Sequence, residues 1–164
     1  MIGKKMTDAL NLQMNREFFN VRLYLSMSAY FESLDMPGAA QWMAAQAQEE
    51  TGHAMRLYHH LRDRGARILL AALEAPPTEW ASPLAAFEAA YEHECKVSRQ
   101  FDEHLTVAQA EKDNATIIFL QWFINEQVEE EASVDNIVRK IRMIGDHPGA
   151  LFMLDRMLGE RKAG

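Results

Sequence analysis

Cysteine is nearly missing from this chain, with Cys95 the single one among 164 residues. That excludes an internal disulfide and any metal site built on several thiolates, and it fits a reducing, cytoplasmic setting. Turn formers are also few, 8 Gly and 5 Pro, which suits a mostly helical protein. No run is long and apolar enough to span a membrane. The opening Met1-Ile2-Gly3-Lys4-Lys5 leads into polar residues where a secretory leader would place an apolar stretch, so none is expected. Positive charge is in the minority, and the net charge of −7 argues against nucleic acid as a partner while favouring cations. Repeats and low-complexity segments are absent. One domain, 1–164, with room for a full core is the simplest reading.

What is present is helical periodicity. The spacing predicts helices over about 7–34, 37–64, 84–111 and 114–144, with a short fifth over 149–158. In the first, Leu10, Met14, Val21, Tyr24, Ser28 and Phe31 recur at three- and four-residue steps. Gly65 is placed to close the second helix. The third carries Phe87, Tyr91, Val97, Phe101, Leu105 and Ala108, and the fourth Leu120, Phe123, Val134, Ile137, Ile141 and Ile144. Asp146 suits an N-cap and Pro148 a first helical turn for the fifth. The connection from about 66 to 82 is long enough to travel the length of a bundle, with Ile68, Leu69, Leu70 and Trp80 expected to pack it down. The fold class is therefore all-α, a four-helix bundle with one long crossover and a C-terminal fifth helix.

Each long helix carries polar residues inside its apolar stripe: Glu17, Glu50 with His53, Glu94, and Gln127 with Glu130. Glu50 and His53 lie one turn apart, as do Gln127 and Glu130, so each pair projects from one face. Counted from the predicted loops, all six fall at one level of an up-down bundle. Charged residues are rarely buried unless paired, and these stripes offer no Lys or Arg. The four carboxylates would be neutralised by two divalent cations. Carboxylate and imidazole without thiolate suit iron, manganese or zinc, and Glu50 is placed to bridge the two ions.

The stretches Asn15-Arg16-Glu17, Gln48-Glu49-Glu50-Thr51-Gly52-His53, Tyr91-Glu92-His93-Glu94, Phe119-Leu120-Gln121-Trp122 and Asn125-Glu126-Gln127-Val128-Glu129-Glu130-Glu131 together resemble the prokaryotic non-haem ferritins over essentially the whole chain. Helix bundles of the ferritin-like type hold di-iron sites with a Glu-x-x-His pair from each of two helices, and here the second pair is Gln127-x-x-Glu130. Thr51 stands where haem-binding bacterioferritins carry a methionine, so no haem is expected. One cysteine excludes the Cys-rich iron domain of rubrerythrin-like proteins, and the fifth helix separates the chain from miniferritins.

The resemblance implies a ferroxidase. Glu17, Glu50 and His53 would hold one iron, Glu50, Glu94 and Glu130 the other, with Gln127 beside the oxygen-binding side. Fe²⁺ would be oxidised by dioxygen or peroxide, and ferric mineral stored inside a hollow homo-oligomer of 24 subunits. The alternative is a di-iron peroxidase or oxidase that stores no mineral. Glu49, Glu126 and Glu129 would form a third iron site facing the cavity. Tyr24, on the Glu17 face, resembles the family's near-centre tyrosine. Trp122 reads as packing, Cys95 as a small buried residue, and the methionines as core filler. His59, His60, His93, His104 and His147 read as surface residues, and Arg156, Arg161 and Lys162 as solvated charges.

Overall fold

The computed structural model describes residues 2–145 and 147–161. Five helices follow one another: α1 (Lys4–Ser33), α2 (Pro37–Asp63), α3 (Pro83–Ala110), α4 (Asn114–Ile144) and α5 (Pro148–Leu158). The helices and their order match the sequence expectation. The main difference is α1, which starts three residues early at Lys4, where Thr7 N–H bonds the Gly3 carbonyl. The N-cap position of α5 is His147. The cap expected at Asp146 lies outside the described residues.

Three helices end in the same way. Gly65, at φ 69°, closes α2, with Ala66 N–H on the Leu61 carbonyl and Gly65 N–H on that of Arg62. This pair of bonds is the Schellman motif. Asp35 and Lys112 take the same left-handed conformation after α1 and α3, with matching bonds to Phe31 and Glu32 and to Ala108 and Gln109. Side-chain caps start the second half of the bundle. Ser82 accepts from Ala85 N–H ahead of Pro83, and Asp113 accepts from Thr116 N–H ahead of α4.

The crossover between α2 and α3 runs alongside α1 and is tied to it by side chains one or two turns apart. Asn11 brackets the strap by accepting from Leu69 N–H and donating to the Arg67 carbonyl. Asn15 does the same with Ala71 and Leu69. Further along, Arg22, Ser26 and Tyr30 donate to the carbonyls of Leu73 and Glu74, Pro77, and Trp80. Ile68 and Trp80 pack against the core as expected, but Leu69 and Leu70 are 50% and 72% exposed. An extended strap presents alternate sides, and its hold on α1 is polar rather than apolar.

The same geometry widens the buried arc of α1. Leu23, Met27 and Tyr30 are buried while Val21 and Ser28 are only half-buried, because this helix is covered by α2 on one side and the strap on the other. Met6, Met14, Met27, Met36 and Met43 fill the core, whereas Met143, Met153 and Met157 are exposed, lying on the outer faces of α4 and α5. Cys95 is half-buried beside Tyr91 rather than buried. The core divides in two. One apolar cluster gathers Phe31, Trp42, Phe87 and Ile141, and the other Met14, Leu57, Phe101 and Phe123. The polar level lies between them.

α2 has no side-chain cap of its own. Its first free N–H groups, those of Gly38 and Ala39, are taken by the Asp155 carboxylate of α5 at 3.1 and 2.8 Å. A carboxylate there also meets the positive end of the helix dipole. The approach requires glycine, since a Cβ at residue 38 would lie 1.7 Å from the Asp155 carbonyl oxygen. Gly38→Ala should therefore push α5 off α2 and cost about 1–3 kcal/mol, the usual overpacking range. Asp155→Ala, which strands two buried N–H groups, should cost a similar amount. Thermal unfolding of both variants measures this, and an unchanged midpoint in both would mean that α5 is not held at this contact.

Candidate metal centre

The six polar residues of the core stripes meet at one level. Glu17 of α1, Glu50 and His53 of α2, Glu94 of α3, and Gln127 and Glu130 of α4 are all at least 96% buried. Ligand atoms of Glu17, Glu50 and His53 lie within 4.8 Å of one another, the one-turn spacing bringing Glu50 and His53 to one face and α1 bringing Glu17 to them. A second group at the same spacing is His53, Glu126 and Glu130. It differs from the expected second set of Glu50, Glu94 and Glu130. Glu126, expected in an outer third site, reaches in towards His53. Glu94 turns instead to neutral donors, the Tyr24 hydroxyl and Gln127 Nε2, the latter at 3.0 Å.

Each carboxylate is met by neutral donors. Gln13 Nε2 and Asn20 Nδ2 bond the two oxygens of Glu17 at 2.6 and 2.7 Å. Glu50 faces His53 Nδ1 at 3.3 Å and Asn20 Nδ2 at 3.4 Å. Gln46 Nε2 bonds Glu130 at 2.6 Å. No lysine or arginine among the described residues bonds any of the four. Burial, followed by the charge of Glu50, holds Glu17 well above the usual carboxylate range. Burial and the charge of Glu94 do the same to Glu50. Burial raises Glu94 against the opposing bonds from Tyr24 and Gln127. Glu130 is pushed up to about 7 by burial and then by Glu94. The same causes raise the Tyr24 phenol well above its normal value.

Around this centre several side chains differ from expectation. His104 is buried, and His93 half-buried, because each bonds an amide that holds Glu17: His104 meets Gln13 at 3.0 Å and His93 meets Asn20 at 2.7 Å. His60 is half-buried, stacked on Phe119 at 3.8 Å, while His59 and His147 are exposed. Trp122 packs edge-on to His53 and Phe123, with the Arg56 guanidinium 4.0 Å over its ring. Arg161 is no solvated charge. It pairs with Glu49 at 2.5 Å and lies 4.3 Å over the Trp42 ring, reached because α5 is docked on α2. Arg156 and Glu129 are exposed, and Lys162 lies outside the described residues. Gln13, Asn20, His93 and His104 were the residues that periodicity missed. The available signal was Gln13 and Asn20, polar residues one turn either side of Glu17 on its own face.

The Ferritin family model, described as a ferritin-like domain, matches residues 7–144. The chain belongs to the ferritin family. A bacterial non-heme ferritin of Bacteroides fragilis is 44% identical to it over 98% of this chain and 100% of its own length. A Staphylococcus aureus bacterial non-heme ferritin is 38% identical over 98% and 97%. Among solved structures, the open-pore ferritin of the hyperthermophilic archaeon Archaeoglobus fulgidus superposes with a TM-score of 0.98 at 49% identity, covering 99% of this chain and 100% of that one. The all-α bundle read from the helices and the ferritin resemblance of the motifs thus agree with relatives matched over nearly the full chain.

The raised carboxyl groups make the metal-free protein sensitive to pH. The folded state holds protons that the unfolded chain, with carboxyl pKa near 4.3, has already released. Stability from the centre is therefore fully present below about pH 4 and is lost as pH rises through the folded values, which for Glu130 means about 7. Metal-free protein should unfold at a lower temperature at pH 7.5 than at pH 5.5, and a divalent ion should reverse the order by binding the folded state. Glu94→Gln removes one charge and should flatten this slope, with the metal-free variant more stable at pH 7.5 by on the order of 1 kcal/mol. A slope unchanged by Glu94→Gln would place Glu94 outside the anionic cluster.

Proposed function

We propose that this ferritin binds Fe²⁺ at the buried centre, oxidises it with dioxygen or peroxide, and stores the ferric product as mineral inside a closed shell of 24 copies. The observation that carries the reading is four buried carboxylates at one level with only neutral donors around them. Two divalent ions match that charge, and iron in this setting is the substrate rather than a resident cofactor. Glu17, Glu50 and His53 take one ion. Glu50 bridges to a second held by Glu94 and Glu130, once Glu94 gives up a neutral donor. Gln127 lies on the Glu94 side, where the oxidant is met. Tyr24, bonded to Glu94, is placed to steady that ligand and to supply an electron.

His53 reaches the Glu126–Glu130 group as well, so ions can pass outward from the centre along one imidazole. Glu126 is the first carboxylate on that route, with Glu49 and Glu129 completing a third site. Thr51 turns its hydroxyl onto the Ala47 carbonyl of its own helix and offers haem no ligand. Assembly into a hollow shell follows the relatives, one of which is described as an open-pore ferritin. No helix among the described residues is long and apolar enough to cross a membrane, and the single cysteine fits a cytoplasmic protein.

Stopped-flow addition of Fe²⁺ to assembled protein, with oxygen uptake and retained iron measured together, tests the proposal. The expected result is a fast oxidation phase and retention of many more iron ions per subunit than the centre holds. Glu50→Ala and His53→Ala should each slow the fast phase by at least the roughly 10–100-fold that loss of an outer hydrogen-bond partner already costs a metal site, with the shell still formed. Fast oxidation without retained iron would make the protein an oxidase rather than a store. Fast oxidation surviving in both variants would overturn the centre itself.

A further inference from the structure

Glu17 is held differently from the other three carboxylates. Both of its oxygens accept from amides of its own helix, Gln13 Nε2 one turn before and Asn20 Nδ2 one turn after. Each amide is in turn gripped through its oxygen by a histidine of α3, His104 Nε2 at 3.0 Å from Gln13 Oε1 and His93 Nε2 at 2.7 Å from Asn20 Oδ1. An amide oxygen only accepts, so Nε2 must carry the hydrogen in both rings.

An amide side chain packs almost equally well when rotated by half a turn, but its chemistry inverts. Turned over, Gln13 or Asn20 would point an oxygen at a Glu17 oxygen and an NH₂ at a histidine N–H. The first contact is repulsive outright, and the second is repulsive unless the imidazole moves its hydrogen from Nε2 to Nδ1. With the hydrogen on Nε2, each histidine backs the orientation in which its amide donates to the carboxylate. We propose that His93 and His104 are positioning residues, two α3 imidazoles that act through Asn20 and Gln13 to hold the iron-binding carboxylate of Glu17 in one pose. This rests on the iron-centre reading above.

Two contrasts sharpen it. Gln13 has a second, longer donor, Arg16 Nη1 at 3.4 Å, whereas Asn20 Oδ1 has only His93 among the described residues. His93 should therefore matter more than His104. On the opposite side of the centre, Gln46 holds Glu130 with a buried Oε1 that has no partner among the described residues. There only the carboxylate orients the amide. Glu17 is fixed from behind, and Glu130 is not.

The test uses assembled, metal-free protein titrated calorimetrically with Zn²⁺, which cannot be oxidised. His93→Leu should weaken the tightest binding 10–100-fold, the usual effect of losing an outer hydrogen-bond partner, and His104→Leu less. His93→Gln and His104→Gln keep an N–H at similar reach and should recover affinity to within about threefold of the parent, since the donor rather than the ring matters. Crystal structures of metal-free parent and His93→Leu should show the Glu17 carboxylate displaced in the variant. Parent-like Zn²⁺ affinity in both Leu variants, or Gln variants as weak as Leu with the same fall in unfolding temperature, would overturn the positioning role. If the parent itself bound no Zn²⁺ tightly, the iron-centre reading would fall. The position of Glu17 in the metal-free variant would still decide the hydrogen-bond relay.

Discussion

Removing four carboxylates from water at one level of the bundle is the constraint on which the rest depends. Each buried ion costs several kcal/mol even after relaxation, against a total folding stability of about 5–15 kcal/mol for a typical domain. The protein meets this cost with neutral hydrogen-bond donors and raised pKa values, and leaves the charge itself for a cation to cancel. Donors such as Gln13, Asn20 and Gln46 occupy positions that an ordinary bundle would fill with leucine. The two apolar clusters on either side carry the packing that the polar level cannot. Length follows from the same need, since helices of 27 to 31 residues leave room for an apolar layer above and below the centre.

The centre is asymmetric in how firmly it is built. On the α1–α3 side the carboxylate of Glu17 is backed by amides and the amides by histidines. On the α2–α4 side Glu130 has a single amide, Glu126 is half-buried and Glu49 is paired with an arginine from beyond α5. The route proposed above, from Glu17 through His53 to Glu126, runs from the better-backed wall to the less backed one.

Much of this was legible in the sequence, for physical reasons that also explain what was not. Helical periodicity marks which residues point inward, so Glu17, Glu50, His53, Glu94, Gln127 and Glu130 could be placed in the core from spacing alone. Gly65 announced its own role because only glycine takes that backbone conformation freely. Partners across helices were hidden, because spacing along one helix says nothing of what faces it. Hence His93 and His104 read as surface residues although each completes a bond to an amide of α1, and Arg161 read as solvent-exposed although α5 carries it onto Trp42. The outward turn of Leu69 and Leu70 was invisible for a related reason. The strap is fixed by side chains of another element, not by an apolar pattern of its own.

The contact between Asp155 and Gly38 joins residues 117 apart in the chain. A polypeptide leaves the ribosome from its N-terminus, so α1 and α2 emerge well before α5 is made. During that time the first N–H groups of α2 can bond only water, because the capping carboxylate has not yet been made. The helix that carries Glu50 and His53 is finished only when almost the whole chain has emerged. Synthesis itself thereby delays the last fastening of that helix until the bundle around it is complete.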